Sequence, residues 1–345
     1  MYNKRFIFSV LTLLIIGALV FAKNNLKNQN VTVLNPLEQT KQVEDPLMVS
    51  VMRSKDYPGS DLKIEETLAD GVNYHQYIAF YFSEGLKIYG LLTVPIAENP
   101  PVGGWPAIIF NHGYIPPAQY RTTERYAAYV DGFARNGYIV FKPDFRGHGS
   151  SEGSPEGAYY LPAYATDALN ALSSIKKYPD VNPDKIGMWG HSMGGSITLR
   201  SLVVRPNDIK AAVIWAGVVG TYDDLMNNWR RRAPFSPTPQ ELALRVRRRA
   251  QLIEKYGIPK DNPKFWNSID PNFFLSEIST PVSLHAGISD EEVPWEFSEG
   301  LYERLKAAGK TVEFYTYEGA DHNISGDSFN LAMERSVNFF DKYLK

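Results

Sequence analysis

The chain has 345 residues, 44% hydrophobic and 21% charged, which is ordinary globular material with length enough for a large core. Its 36 Lys and Arg nearly balance 38 Asp and Glu, and the net charge of −2 excludes a charge-driven nucleic-acid binder. There is no cysteine, which excludes disulfides, thiolate metal sites, a cysteine nucleophile and a lipidated N-terminal cysteine. No Gly-rich phosphate loop or dinucleotide fingerprint is present, so neither cofactor nor metal is expected.

Lys4 and Arg5 precede an uncharged run from Phe6 to Ala22, which Lys23 and Lys27 follow. A basic flank before an apolar core reads as targeting sequence rather than fold. The expectation is a single N-terminal membrane anchor over residues 1–23, ahead of a signal peptide cleaved after Ala22. Either form places the rest of the chain outside the cytoplasm, with membrane contact through this segment where it is uncleaved. Residues 24–48, rich in Asn, Gln and Lys with little periodicity, read as a solvated linker.

From Val49 to Val94 the pattern turns to strands. Residues 74–82 and 86–94 are aromatic and β-branched, and Ser83-Glu84-Gly85 between them predicts a hairpin turn. Residues 95–106 form a Pro/Gly-rich loop. A β/α alternation then begins, with a strand over 107–110, a helix over 121–136 closed by Gly137, and a strand over 138–141. A helix over 162–177 and strands over 185–189 and 211–215 follow. After an insertion over 221–278 come a strand over 282–285, a helix near 295–308, a strand over 312–317 and a last helix over 328–343. Short apolar strands alternating with amphipathic helices predict an α/β fold, a mostly parallel sheet covered on both faces. The hairpin strands would add an antiparallel edge.

Gly190-His191-Ser192-Met193-Gly194 lies where the 185–189 strand ends and a helix should begin. A serine hydroxyl is a weak nucleophile until something holds it out of the chain and removes its proton. A sharp strand-to-helix turn does the holding, and its crowded backbone calls for glycine on either side of the serine. The N–H of Met193, just past the bend, would point at a developing oxyanion.

Five segments together resemble the α/β-hydrolase superfamily, closest to bacterial esterases and to the catalytic domain of the prolyl-oligopeptidase group. They are Asn111-His112-Gly113-Tyr114, residues 143–151 around Arg146-Gly147-His148-Gly149, Gly190–Gly195, residues 286–294 around Asp290, and Gly319-Ala320-Asp321-His322-Asn323. The resemblance spans residues 105–345. It implies an α/β-hydrolase domain over 49–345, with 221–278 a helical cap insertion. The superfamily order of nucleophile, acid and histidine then falls on Ser192, Asp290 and His322. In related esterases the second oxyanion donor follows His-Gly, which assigns Tyr114, with Gly113 its neighbour and competitor. Asp144 and Arg146 would tie their loop near the nucleophile. The other five histidines, His75, His112, His148, His191 and His285, are read as packing or surface.

The insertion is basic at Arg230-Arg231-Arg232, Arg245 and Arg247-Arg248-Arg249, a surface for an acidic group or a solvated helix face with pairs such as Glu241 and Arg245. Trp215, Trp229, Phe235 and Trp266 are candidates for an apolar pocket or for core. Only about eighty residues separate the N-terminal segment from the first core strand, too few for the β-propeller of oligopeptidases, and no acidic pair for a peptide amine is identifiable. The expected function is hydrolysis of a small carboxylic ester through an acyl-serine. The alternatives are a short-peptide hydrolase with the same triad and a non-catalytic binding protein on the same fold.

Overall fold

The computed structural model describes residues 45–98, 100–155, 159–229 and 238–345. The predicted anchor over 1–23, the linker as far as residue 44, Arg230, Arg231, Arg232 and Phe235 lie outside the described residues, as do the side chains of Glu241 and Arg245. Among the described residues no helix is long and apolar enough to cross a membrane, which overturns the expected membrane-anchored, exported placement. The two 18-residue helices, Pro239–Tyr256 and Asp327–Leu344, carry charged residues along their length. Each has a polar face that hydrocarbon would not accept.

The described chain opens on helix α1 (Val49–Ser54), where strand was expected. Val49 and Met52, three apart, lie on one helical face and are both buried. Strands β1 (Lys63–Thr67), β2 (Tyr74–Ser83) and β3 (Leu86–Pro95) follow as an antiparallel run. The β2–β3 turn has two residues, Glu84 and Gly85, both at positive φ (50° and 82°). That is the backbone whose twist matches a tight hairpin.

The β/α part runs β4 (Trp105–Asn111), α2 (Ala127–Ala134), β5 (Ile139–Pro143), α3 (Ala163–Ile175), β6 (Val181–His191), α4 (Met193–Val204) and β7 (Ala211–Trp215). The inserted segment contributes α5 (Tyr222–Asn227), α6 (Pro239–Tyr256) and α7 (Pro263–Ile269). The chain then completes β8 (Val282–Gly287), α8 (Glu296–Ala307), β9 (Val312–Tyr317) and α9 (Asp327–Leu344). Among the described residues these strands form one nine-stranded sheet in the order β1-β2-β3-β5-β4-β6-β7-β8-β9. It is antiparallel as far as β5 and parallel from there on.

The apolar runs of the central strands follow from burial on both faces. Along β4, Ala107 and Ile109 pack into one core, while Ile108 and Phe110 pack into the other. Along β7, Ala212 and Ile214 face the first core, and Ala211, Val213 and Trp215 face the second. Leu169, Leu172, Ile197 and Leu202 of α3 and α4 close the first core; Phe133 of α2 and Val337 and Phe340 of α9 close the second. Each such side chain taken out of water is worth roughly 1.5–3 kcal/mol.

Helix α2 begins at Ala127, later than the sequence pattern predicts, because Tyr126 takes a left-handed backbone (φ 63°). Upstream of it, the fully buried Lys142 of β5 donates to the carbonyls of Thr122 (2.8 Å) and Arg125 (3.3 Å). Those carbonyls are thereby withheld from a helix.

Two polar groups expected near the nucleophile do different work. Asp144 accepts from Tyr120 (2.7 Å) and Thr122 (2.6 Å) and holds the 116–125 loop. The Arg146 guanidinium grips Asp167 of α3 through Nε (3.0 Å) and Nη2 (2.7 Å), and reaches Glu84 in the hairpin turn (2.9 Å). The Asp167 side chain is wholly buried. Removing one partner of such a pair strands a charge in the core. Asp167→Ala is therefore expected to lower stability by about 3–5 kcal/mol in urea unfolding. Glu277→Ala, which breaks an ion pair to Arg53 whose Glu277 side chain is half exposed, should cost less than about 1 kcal/mol.

Burial holds four imidazoles neutral. It drives His191 and His285 down to about 3, His148 to about 4, and His112 well below its usual range. In the unfolded chain each takes a proton near about 6.5. Above that pH both states are neutral and the stability is whole. Below it the unfolded state binds more protons, so stability falls as pH drops through the window toward 3–4. Asp144, Asp167 and Asp270, raised by burial, carry the opposite sign and soften the loss. Urea midpoints should decline steadily from about pH 7 to pH 5, by up to roughly 1.4 kcal/mol per pH unit for each histidine. A flat midpoint over that range would contradict neutral burial.

Candidate active site

The order of strands puts the site in place before any side chain is considered. The chain leaves β4 for β5 on one side and returns to β6 on the other. The loops beyond the carboxyl ends of β4 and β6 are therefore neighbours above a crevice, where open α/β sheets hold their ligands.

Ser192 sits between β6 and α4 with φ 54° and ψ −117°, a conformation that costs a non-glycine residue free energy. The surroundings leave the chain no other course. A Cβ on Gly194 would come 1.8 Å from the Asn111 carbonyl oxygen, and one on Gly190 would come 2.3 Å from that of Gly194. The bend keeps its hydrogen bonds: the Ser192 N–H donates to Trp215 (3.0 Å), and the Ser192 carbonyl accepts from Gly195 and Val218 (both 3.0 Å). Met193 is the first residue of α4, where an N–H has no acceptor within the helix.

Asp290 lies on the loop after β8. Its Oδ1 accepts the N–H groups of Glu292 (2.8 Å) and Val293 (2.9 Å), which fixes the carboxylate plane. Its Oδ2 lies 2.7 Å from Nδ1 of His322, on the loop after β9. Both side chains are buried, at 1% and 8% exposure. A carboxylate accepts, so Nδ1 carries the proton and Nε2 is the basic nitrogen.

Ser192 and His322 line one cavity of about 260 Å³ together with Tyr114 and Gly113. Arg125, Tyr126, Tyr129, His191, Glu292 and Asn323 complete much of its wall. Among the described residues Ser192 Oγ makes no hydrogen bond of its own. The Gly113 N–H is taken by Tyr126 Oη at 2.9 Å.

None of these six wall residues is a predicted site residue, and Tyr126 is the most consequential. It contacts positions 13 and 65 residues away, Gly113 and His191, and no local pattern announces either contact. His191 was read as packing. It is buried, yet it also holds the His322 carbonyl through Nε2 at 2.9 Å.

The three described aromatic candidates, Trp215, Trp229 and Trp266, are core or wedge and do not line this cavity. Trp215 donates to Ser336 beneath the sheet, and Trp266 packs on Tyr222 with ring centroids 5.3 Å apart. Trp229 donates to the Glu292 carbonyl at 2.8 Å. Arg248 and Arg249 reach the carbonyls of Pro155 and Met226, away from the cavity wall.

Comparison with known proteins agrees with this architecture. The family model Hydrolase_4, described as serine aminopeptidase S33, matches residues 106–260. The chain is 28% identical to the uncharacterized peptidase YtmA of Bacillus subtilis over 71% of this chain and 85% of that protein. It superposes on acetyl xylan esterase from Paenibacillus sp. R4 with a TM-score of 0.63 at 18% identity, covering 86% of this chain and 92% of the esterase. It superposes equally well (TM-score 0.63, 18% identity) on a puromycin-hydrolyzing peptidase of Mycobacterium tuberculosis, covering 80% of this chain but only 40% of the peptidase. With a mostly parallel sheet shared with esterases and peptidases alike, and a hydrolase family model over its central strands, this chain has the α/β-hydrolase fold and is a serine hydrolase.

Proposed function

We propose that the chain hydrolyses small carboxylic esters through an acyl intermediate on Ser192, with His322 as general base and Asp290 as its partner. The observation that carries this reading is the buried Asp290–His322 pair, whose imidazole lines the same cavity as the left-handed Ser192. Nε2 of His322 takes the hydroxyl proton as Ser192 Oγ attacks the carbonyl carbon. Asp290 holds the ring in one tautomer and stabilises the imidazolium. The tetrahedral oxyanion is received by the N–H groups of Met193 and Tyr114. Tyr114 is preferred over Gly113 because the Gly113 N–H is already given to Tyr126. His322 then protonates the departing alcohol, and water repeats the sequence on the acyl-serine.

Size favours a small substrate. A cavity of about 260 Å³ sits at or below the usual range of ligand pockets, roughly 300–1,000 Å³, and its tyrosine wall suits a compact acyl group. We take residues 221–278 as the cap over this site, since Trp229 is pinned to the Asp290 loop. One observation favours a peptide instead: an acidic residue, Glu292, is among those that line the cavity, and a negative charge near the site would suit a substrate amine.

A fluorophosphonate probe should label the protein at Ser192, located by mass spectrometry. Ser192→Ala should abolish labelling and lower ester turnover by at least about 10⁴-fold, and Asp290→Asn should lower kcat by about 10³–10⁴-fold with the fold intact. Short p-nitrophenyl esters should be turned over faster than aminoacyl-nitroanilides. The reverse preference would replace the ester reading by the peptidase one, and absence of labelling in folded protein would remove both.

A further inference from the structure

We propose that Tyr126 and His191 are positioning residues that form a single proton-ordered chain, locking the Gly113–Tyr114 loop and the His322 loop to one register around Ser192. The inference rests on the roles assigned above to Ser192, His322 and Tyr114.

The direction of every proton in the chain follows from chemistry. The His322 carbonyl can only accept, so His191 Nε2, 2.9 Å away, must carry a hydrogen and donate it. A neutral imidazole has one N–H, so Nδ1 of His191 must accept. Its partner at 2.7 Å is Tyr126 Oη, whose hydroxyl therefore donates. The Gly113 N–H then donates into the remaining lone pair of Tyr126 Oη. The result is Gly113 N–H to Tyr126 O–H to His191 to the His322 carbonyl, with no second arrangement open to the neutral groups.

The chain passes against the nucleophile. A Cβ built on Gly113 would lie 2.4 Å from Tyr126 Oη, 3.1 Å from His191 Nδ1 and 3.2 Å from the Ser192 Cβ. It is also caged. The Tyr126 ring meets Phe110 (centroids 5.6 Å apart) and Tyr129 (5.3 Å), and the His191 ring stacks on Trp189 (6.2 Å, interplanar 14°). The imidazoles of His191 and His322 are 4.6 Å apart. The oxyanion-side loop and the general-base loop are separate in sequence, and this chain is what makes their spacing one quantity. A shift of about 1 Å in such a spacing is enough to cost about 10²-fold in rate.

The test is a double-mutant cycle on Tyr126→Phe and His191→Leu, with His191→Gln as the conservative variant. Gln keeps an N–H donor for the His322 carbonyl. We expect each of Tyr126→Phe and His191→Leu to lower kcat for a p-nitrophenyl ester about 10–100-fold with KM within about threefold. The double variant should fall within about threefold of the worse single, because a chain broken once is broken. His191→Gln should recover at least about tenfold of the kcat lost in His191→Leu. Multiplicative losses, a change confined to KM or melting temperature, or no recovery by Gln would overturn the proposal. Should Tyr126→Phe fail to fold, the comparison of Gln with Leu at position 191 decides alone.

Fluorophosphonate labelling of the wild type separates this from the triad reading. Labelled wild type with undiminished variants sinks the chain and leaves the triad standing. An unlabelled wild type sinks the triad. The chain is then read from ¹⁵N-histidine spectra of the six imidazoles. His191 should hold the Nε2–H tautomer throughout about pH 6–9 and lose that signature in Tyr126→Phe; an Nδ1–H or titrating ring would overturn it.

Discussion

A serine held at φ 54° is the constraint around which the rest of the molecule is arranged. The backbone accepts this conformation only because three chain segments press on it at once. The Asn111 carbonyl bars any side chain at Gly194, and the start of α4 bars one at Gly190. The β7 backbone takes the Ser192 N–H. A helix entering at that angle must lie across the sheet, so Ile197 and Leu202 fall into the core with Leu169 and Leu172 of α3. Local strain at one residue and the large-scale packing of α4 are therefore two sides of one geometric fact. Hydrophobic burial over the sheet offsets the strain many times over.

The same logic reaches Tyr126 from the opposite side of the crevice. Lys142 is fully buried in β5, and desolvation lowers its ammonium to about 8. A charge so placed must find oxygen partners, and it finds the carbonyls of Thr122 and Arg125 and the hydroxyl of Tyr120. Those contacts hold the 120–125 loop in an open, non-helical course. The chain can then enter α2 only through a left-handed residue, and that residue is Tyr126. A buried lysine thus determines where a tyrosine hydroxyl ends up, next to Gly113 and His191.

This also explains which features were legible in the sequence. The strand and helix alternation was readable because two-sided burial writes itself as apolar runs. The Ser192 bend was readable because steric exclusion leaves glycine at 190 and 194. Both are local signatures. The early helix at Val49–Ser54 was read as strand because its apolar positions are too few to set a period. The helix expected from residue 121 was delayed to 127 by Lys142, whose influence crosses 17–20 positions of sequence. His191 looked like filler because its importance lies in a carbonyl 131 positions away. The membrane placement failed differently. It rested on a run, 6–22, that lies outside the described residues, and none of the described helices has the character to replace it.

Substrate choice in such a molecule must come from what the loops add. The sheet ends offer the strained serine and the Asp290–His322 pair, and nothing in either distinguishes an ester from an amide. The wall is where the two could be told apart, and three tyrosines, Arg125 and Glu292 line it. Glu292 is held by the chain on both sides, since its N–H is bound by Asp290 and its carbonyl by Trp229. Its backbone is thus held by the residue that orients the proposed base and by the inserted segment together. The Trp229 hydrogen bond therefore ties the inserted segment to the loop that carries Asp290, so one stretch of chain serves both the cavity wall and the partner of His322.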